Sequence, residues 1–440
     1  MRKYSENKSL AKYIIFGFAF ILILISGNAF AQGSPYDLLG FGDPIVSEAA
    51  RLEGIEGSGV ALTDSRTIND INPAALSMLT RARIEARLRF VYDRSSFGSE
   101  QSIQRPVKFA GVSFATSLWE RQHIGFALGF VPLTNAEAKA QQTDTNVGTT
   151  VYHREGGLSQ FYLGLSARPI SALNLGARAD FLFGNLRLIS QSDVSQGQGT
   201  TPGVFQREYS AAGVRGTFGF LLTLDTLLPE LKGLTIGGAF SSGSSLTSKK
   251  RTIVTPVNSL LDSTIEVAGF GYYPSLIRLG IATRFGDRYR VEADISGQDF
   301  STASLYSTTS TIVGDPNLGP SNRYSIGIER LPIMGDEAKG VGFWERTGLR
   351  LGASYATLPF RPNDLTKPSD PNARTSVNEL SFSLGLGLPM NYESLFDFFL
   401  GAGIRTPQAP NGAPKDFFFK MGASISLSEK WFVPLRRDED

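Results

Sequence analysis

From Val107 to Leu427, apolar side chains take every second position over runs of about ten residues, and each run ends in a turn or loop. Leu380, Phe382, Leu384, Leu386 and Leu388 make one face of such a run, and Ser381, Ser383, Gly385 and Gly387 make the other. Phe161–Leu163–Leu165–Ala167, Leu349–Leu351–Ala353–Tyr355 and Phe419–Met421–Ala423–Ile425–Leu427 repeat the pattern. Successive side chains of a strand point to opposite faces, so each run predicts a strand with one greasy and one small or polar face. Strands are expected at 83–92, 107–118, 122–131, 160–168, 173–187, 207–224, 233–241, 274–285, 288–298, 322–331, 346–356, 376–388, 397–405 and 416–427.

The connectors carry as much information as the strands. After odd-numbered strands they run from about 10 to about 32 residues; after even-numbered ones most have fewer than about ten. A sandwich has no reason to alternate in this way. A membrane barrel has, with short periplasmic turns and long outer loops, and an even strand count returns both ends to the same side. The long connectors include Gln141–Asn146, Ser190–Gly203, Ser241–Lys250 and Ser301–Ser310, all polar, and are expected as water-facing loops. Leu331–Trp344 is long for a periplasmic turn.

The N-terminus supports an exported chain. Arg2, Lys3, Lys8 and Lys12 precede the apolar run Tyr13–Ile25, and Ala29-Phe30-Ala31 supplies small residues for cleavage after Ala31. Residues 1–31 are therefore expected to be a signal peptide, 32–81 a separate compact element, 82–432 the barrel and 433–440 a solvated tail. No later stretch is long and apolar enough for a spanning helix, so membrane insertion requires a closed barrel. With no cysteine and only His123 and His153, disulfides are ruled out and the usual zinc sites are not expected. The balance of 43 basic against 41 acidic residues gives no sign of nucleic-acid binding.

Residues 32–81 lack alternation. Gly57-Ser58-Gly59-Val60-Ala61-Leu62-Thr63-Asp64 is followed by Asn72-Pro73-Ala74-Ala75-Leu76, and Pro73 suits the first position of a short helix over 74–79. With this segment ahead of fourteen strands, the chain resembles the FadL-type (TodX) outer-membrane transport family. The resemblance implies an all-β fold: a transmembrane antiparallel β-barrel of about 14 strands, plugged by an N-terminal hatch. It assigns Asn72, Pro73 and Ala74 to the hatch motif, with Gly59 and Asp64 in the turn before it, as binding and gating residues. The chain departs from the family in running past Trp431-Phe432 to an acidic and basic tail.

Candidate chemistry is sparse. His123 and His153 stand in no Ser/His/acid order, and no Gly-x-Ser-x-Gly elbow occurs, so an enzyme is not expected. Gly54–Gly59 has no following Lys-Ser/Thr and reads as turn glycines, and the aspartates lack calcium-loop spacing. Arg83, Arg87 and Arg89 share one face of the first strand and are expected to anchor the hatch or pair across the lumen, with contact to a ligand carboxylate as the alternative. Gly237-Gly238 and Gly213, Gly216 and Gly219 are places where the wall could open sideways, and ordinary barrel glycine content explains them equally well.

The resemblance implies passive uptake of hydrophobic compounds such as long-chain fatty acids at the cell outer membrane. No cofactor or metal is expected. The expected partners are a hydrophobic small molecule, outer-membrane lipid and lipopolysaccharide, and the barrel-assembly machinery, with the chain a monomer. The alternative is a barrel of the same type acting as a binding or protein-secretion accessory with no uptake role.

Overall fold

The computed structural model describes residues 34–97, 100–104, 107–119, 123–144, 148–193, 203–224, 233–256, 263–310, 313–367, 369–370, 372–390, 393–409 and 411–429. The expected signal peptide, Trp431, Phe432 and the tail lie outside them.

The chain forms a closed antiparallel barrel of 14 strands. In order these are β1 (Ala82–Phe97), β2 (Glu100–Gln104 and Val107–Trp119), β3 (Ile124–Pro132, Thr134–Asn135 and Ala138–Asp144), β4 (Gly148–Ile170) and β5 (Leu173–Asp193). Then come β6 (Gly203–Thr223), β7 (Thr235–Ser241 and Ser244–Pro256), β8 (Ser263–Tyr273 and Leu276–Phe285) and β9 (Tyr289–Asp299 and Ser304–Ser307). β10 (Pro320–Arg330), β11 (Gly348–Thr357), β12 (Val377–Pro389), β13 (Leu395–Pro407) and β14 (Lys415–Glu429) complete the wall. β14 closes on β1 from Ala82↔Glu429 to Ser96↔Lys415.

Alternation sorts the side chains as a membrane barrel requires. Leu351, Phe382 and Leu384 are more than half exposed on the outside, while Arg350, Ser381 and Ser383 beside them are buried inside. Trp119, Phe285 and Tyr289 stand exposed at strand ends beside the short turns, where a headgroup layer favours amphipathic rings. Leu331–Thr347 is a true excursion, holding a 3-10 turn Gly335–Ala338 and a short helix Phe343–Arg346 with Trp344 exposed.

The outer loops differ from expectation. Among the described residues, 141–144, 190–193, 203 and most of Ser241–Lys250 are strand: Ala138–Asp144 pairs with Gly148–Arg154, and Ser244–Val254 with Ser263–Tyr273. Ser301–Ser310 contains a 3-10 turn and the strand Ser304–Ser307. Beyond the hydrocarbon layer neither face meets lipid, so the period-two apolar signal fades while the backbone ladder continues. The rim is therefore stepped, tall over β4–β8 and low over β10–β13.

Residues 34–81 occupy the lumen as a hatch. Its regular parts are a 3-10 turn Pro35–Leu38, the helix α1 (Ala50–Glu53) and a 3-10 helix Pro73–Met78. The last is the short helix expected at 74–79, begun one residue earlier and in 3-10 form: Asn72 caps it and Pro73 opens it.

Candidate functional site: a clamped hatch and a charged cavity

The hatch motif sits against the wall. Asn72 is fully buried; its side-chain amide donates to the carbonyls of Val60 at 2.7 Å and Phe220 at 3.0 Å, and its Oδ1 accepts from the Ala74 N–H at 3.0 Å. One side chain thus caps the 3-10 helix, ties the preceding turn to it and fixes both to β6. Asn69 repeats the device, donating to Gly59 O at 2.7 Å and accepting from the Ile71 and Asn72 N–H groups. The N–H groups of Gly59 and Val60 both donate to Asp294 on β9, at 2.6 and 2.9 Å.

Glycines in the wall make this closeness sterically allowed. A Cβ on Gly219 would overlap Asn72 Oδ1, one on Gly176 would overlap the Pro73–Ala74 peptide, and one on Gly237 would strike Val60 O. On the far side, Gly327 and Gly352 do the same for Ile55, and Gly385 for Gly54. Gly219 and Gly237 were expected as places where the wall opens; both lie in paired ladder instead, Gly219↔Gly176 and Gly237↔Leu221. Gly213, Gly216 and Gly238 are likewise paired. At Gly176, Gly219 and Gly237 the wall needs a small residue because hatch atoms fill the space, whereas Gly213, Gly216 and Gly238 adjoin other wall residues.

Buried ion pairs clamp what the glycines seat. Arg51 of α1 forks onto Glu329 of β10 and also reaches Asp64 and Thr67. Glu329 accepts in addition from Arg350 at 2.8 Å, and Arg350 continues to Asp397 at 2.6 Å. Lys420 of β14 meets Glu53 at 3.0 Å and Glu56 at 3.4 Å, and Arg323 meets Glu56 at 2.9 Å. The first-strand arginines do anchor the hatch: Arg87 binds Asp70 at 2.8 Å and Arg89 binds Glu48 at 3.1 Å, while Arg83 pairs with Glu393 in the short connection between β12 and β13.

These contacts set the protonation of the hatch acids. Burial pushes Asp64 up, but the Arg51 guanidinium, helped by Arg290 and Arg66, outweighs it and holds the carboxyl well below the usual range. Burial likewise opposes ionisation of Glu56, yet Lys420, Arg323 and hydrogen bonds from Ser381 and Ser354 bring it down to about 2. Both are charged partners in the clamp at neutral pH.

Above the hatch remains a cavity with about 170 Å³ of water-accessible space. Its lining is mixed: Asp43, Glu48, Arg89, Arg405, Arg178, Arg215 and Arg278 stand among apolar residues such as Val46, Val131, Leu133, Leu276, Leu358 and Phe418. Among the described residues no cluster of His, Cys, Asp and Glu has metal-binding geometry. His123 sits in a tight turn with positive φ, and His153 lies in the β3–β4 ladder, far apart in the fold.

The architecture defines a class: a fourteen-stranded antiparallel β-barrel with the FadL-type fold, with residues 34–81 packed in its lumen. Within that class, the chain belongs to the BamG family, whose profile matches residues 10–438. Solved structures sharing the fold include the Pseudomonas putida toluene transporter TodX, at TM-score 0.58 and 16% identity over 88% of this chain and 99% of that one. The Ralstonia pickettii toluene transporter TbuX gives 0.55 and 15% over 87% and 98%. A Pseudomonas aeruginosa FadL homologue gives 0.56 and 11% over 89% and 99%. No curated protein matches in sequence.

Proposed function

We propose that this chain is a plugged outer-membrane barrel that works by holding protein partners rather than by passing solutes through its lumen. The clamped hatch carries this reading. Its backbone is wedged against wall glycines on opposite sides, and its acids are buried against basic residues of β1, β10 and β14. The cavity above the hatch is about 170 Å³ and is lined by charged and apolar residues in near-equal number. Pockets for drug-sized ligands span about 300–1,000 Å³ and are mostly apolar. The BamG assignment favours a link to barrel assembly, which makes other outer-membrane assembly proteins the partner class. Lipid and lipopolysaccharide would meet the exposed Leu, Ile and Phe face. The test is crosslinking in intact cells, together with the amounts of other outer-membrane barrels in a deletion strain. Specific crosslinked proteins and depleted barrels are expected; no partner and unchanged barrels would overturn the reading.

A second reading, passive uptake of hydrophobic compounds such as long-chain fatty acids, is favoured by a different observation. The ladder between β2 and β3 ends at Val112↔Phe130, although both strands continue upward on their other neighbours. Lys108, Leu133 and Asn135 beside this break also line the cavity, so a compound in the lumen would have a sideways exit. Gating would then fall to Asn72, Pro73, Ala74, Gly59 and Asp64. Uptake of labelled toluene and of a labelled long-chain fatty acid, compared with and without the protein, decides it. Uptake that depends on the protein and changes when Asn72-Pro73-Ala74 is replaced would favour this reading.

A further inference from the structure

The tall part of the rim carries an unused strand edge with a defined chemical pattern. Ser263–Gly269 of β8 pairs with β7 on one side. On its other side, among the described residues, β9 pairs with Phe270 and Tyr272 through Ser307 and Ser304, Ser307 and Tyr306 also lie against Gly269, and the Tyr306 hydroxyl donates to Ala268 O at 3.4 Å, so the open part of the edge is Ser263–Val267. The neighbouring wall does not cover this edge, because β10 begins only at Pro320, opposite Asp299.

Soluble and membrane sheets protect such edges with Lys, Pro or bulges, since unpaired N–H and C=O groups invite another strand. The opposite edge of the tall sheet, Ala138–Asp144 of β3, is protected in this way: it carries Lys139 and no aliphatic side chain larger than Ala. The β8 edge carries Thr264, Ile265 and Val267, with Ile265 at 61% and Val267 at 43% exposure.

The outer face adds a charge pattern. Glu155, Arg187, Glu208, Arg251 and Glu266 are direct cross-strand neighbours on β4, β5, β6, β7 and β8. Arg187 bridges Glu155 at 2.8 Å and Glu208 at 2.9 Å, Arg251 lies 3.7 Å from Glu208, and Lys249 reaches Glu266 at 3.3 Å. The row alternates acid and base across five strands and stops on an acid at the open edge. A sixth strand in register would place a basic residue opposite Glu266, with aliphatic neighbours beside Ile265 and Val267 on the other face.

We propose that Ser263–Val267 is a β-augmentation site for an extended segment of a partner protein with the pattern aliphatic–basic–aliphatic. Main-chain hydrogen bonds would supply affinity, and the Glu266 and Ile265/Val267 positions would supply specificity. A second copy of this chain fits poorly, because an antiparallel pair centred on Glu266 opposes two like charges. The proposal rests on the partner-holding reading and names where one such partner seats.

The test uses the full barrel in detergent micelles and two labelled nine-residue probes of alternating Thr and Val, one with a central Lys and one with a central Glu. Fluorescence anisotropy is expected to show preference for the Lys probe by about threefold or more. Glu266→Arg should reverse the order, and Ile265→Lys should weaken both; heat-modifiable gel migration checks that each variant still folds as a barrel. No binding of either probe, an unreversed order, or a homodimer crosslinked through the Ile265→Cys variant overturns the proposal. The same variants crosslinked in cells separate the two claims. Partners retained by Glu266→Arg and Ile265→Lys sink the edge assignment alone, whereas no partner on the unsubstituted protein sinks the reading beneath it.

Discussion

Arg51 donates from Nε and Nη2 to the two carboxylate oxygens of Glu329 at 2.9 and 2.8 Å, joining the short hatch helix to strand β10 across 278 residues of sequence. Both side chains are almost fully buried, so neither can exchange its partner for water. Arg51→Ala leaves Asp64 without its nearest base and is expected to cost about 3–5 kcal/mol, the range for breaking one side of a buried pair. The check is the temperature at which the folded barrel band disappears on a heat-modifiability gel. Planar-bilayer recordings should show conductance steps absent from the unsubstituted protein.

Asn72→Ala removes a helix cap and the amide's hydrogen bonds to the Val60 and Phe220 carbonyls. Losing the cap alone costs about 0.5–2 kcal/mol, and the two lost carbonyl bonds add to it. Lower thermal stability with unchanged membrane insertion is expected. Asn72→Asp, which keeps the cap acceptor and loses the amide donor, should fall between the two.

The glycine seats give a sharper contrast. Gly219→Val forces a side chain into Asn72, and Gly176→Val forces one into the Pro73–Ala74 peptide. Either should prevent assembly of a plugged barrel, read as loss of the folded band and of surface protease resistance. Gly216→Ala lies on the same strand as Gly219, where an added Cβ meets only the edge of the Phe218 ring at 3.3 Å. It should assemble normally.

The clamp has a pH signature. Glu56 is held down to about 2 in the folded protein, against a usual value near 4.5. A carboxyl with a depressed folded-state value stabilises the fold above its unfolded value, and this stabilisation is lost as pH falls through the folded one. Barrel stability should therefore hold down to about pH 4.5 and decline between there and about pH 2. Glu56→Gln should flatten that decline while lowering stability at neutral pH, measured by thermal melts across the pH series.

Much of the wall could be read from the sequence, because lipid on one side and lumen on the other impose a two-residue period. Each of the fourteen expected strands overlaps an observed one, overrunning its ends by no more than two residues, and Leu380–Leu388 or Leu349–Tyr355 needed nothing more than alternation. The upper strands could not be read in the same way, since Lys249, Arg251 and Glu266 face water and carry no apolar rhythm. The hatch motif was visible, but its partners were not. Nothing local to Arg51 points to Glu329, and nothing near Gly219 separates a seat for Asn72 from a weak point in the wall. The first-strand arginines were the exception: three bases on one face of a lumen strand imply buried acids, and Asp70 and Glu48 supply two of them.

The clamp also bears on how the barrel is built. The seam lies between β1 and β14, the two ends of the wall in sequence, and each grips the same stretch of hatch: Arg89 of β1 holds Glu48, and Lys420 of β14 holds Glu53 and Glu56. A slip of one residue at the seam would turn Arg89 or Lys420 outward into lipid and strand the acids they meet. The hatch is thus a gauge for closure, a former around which the last two strands find their register.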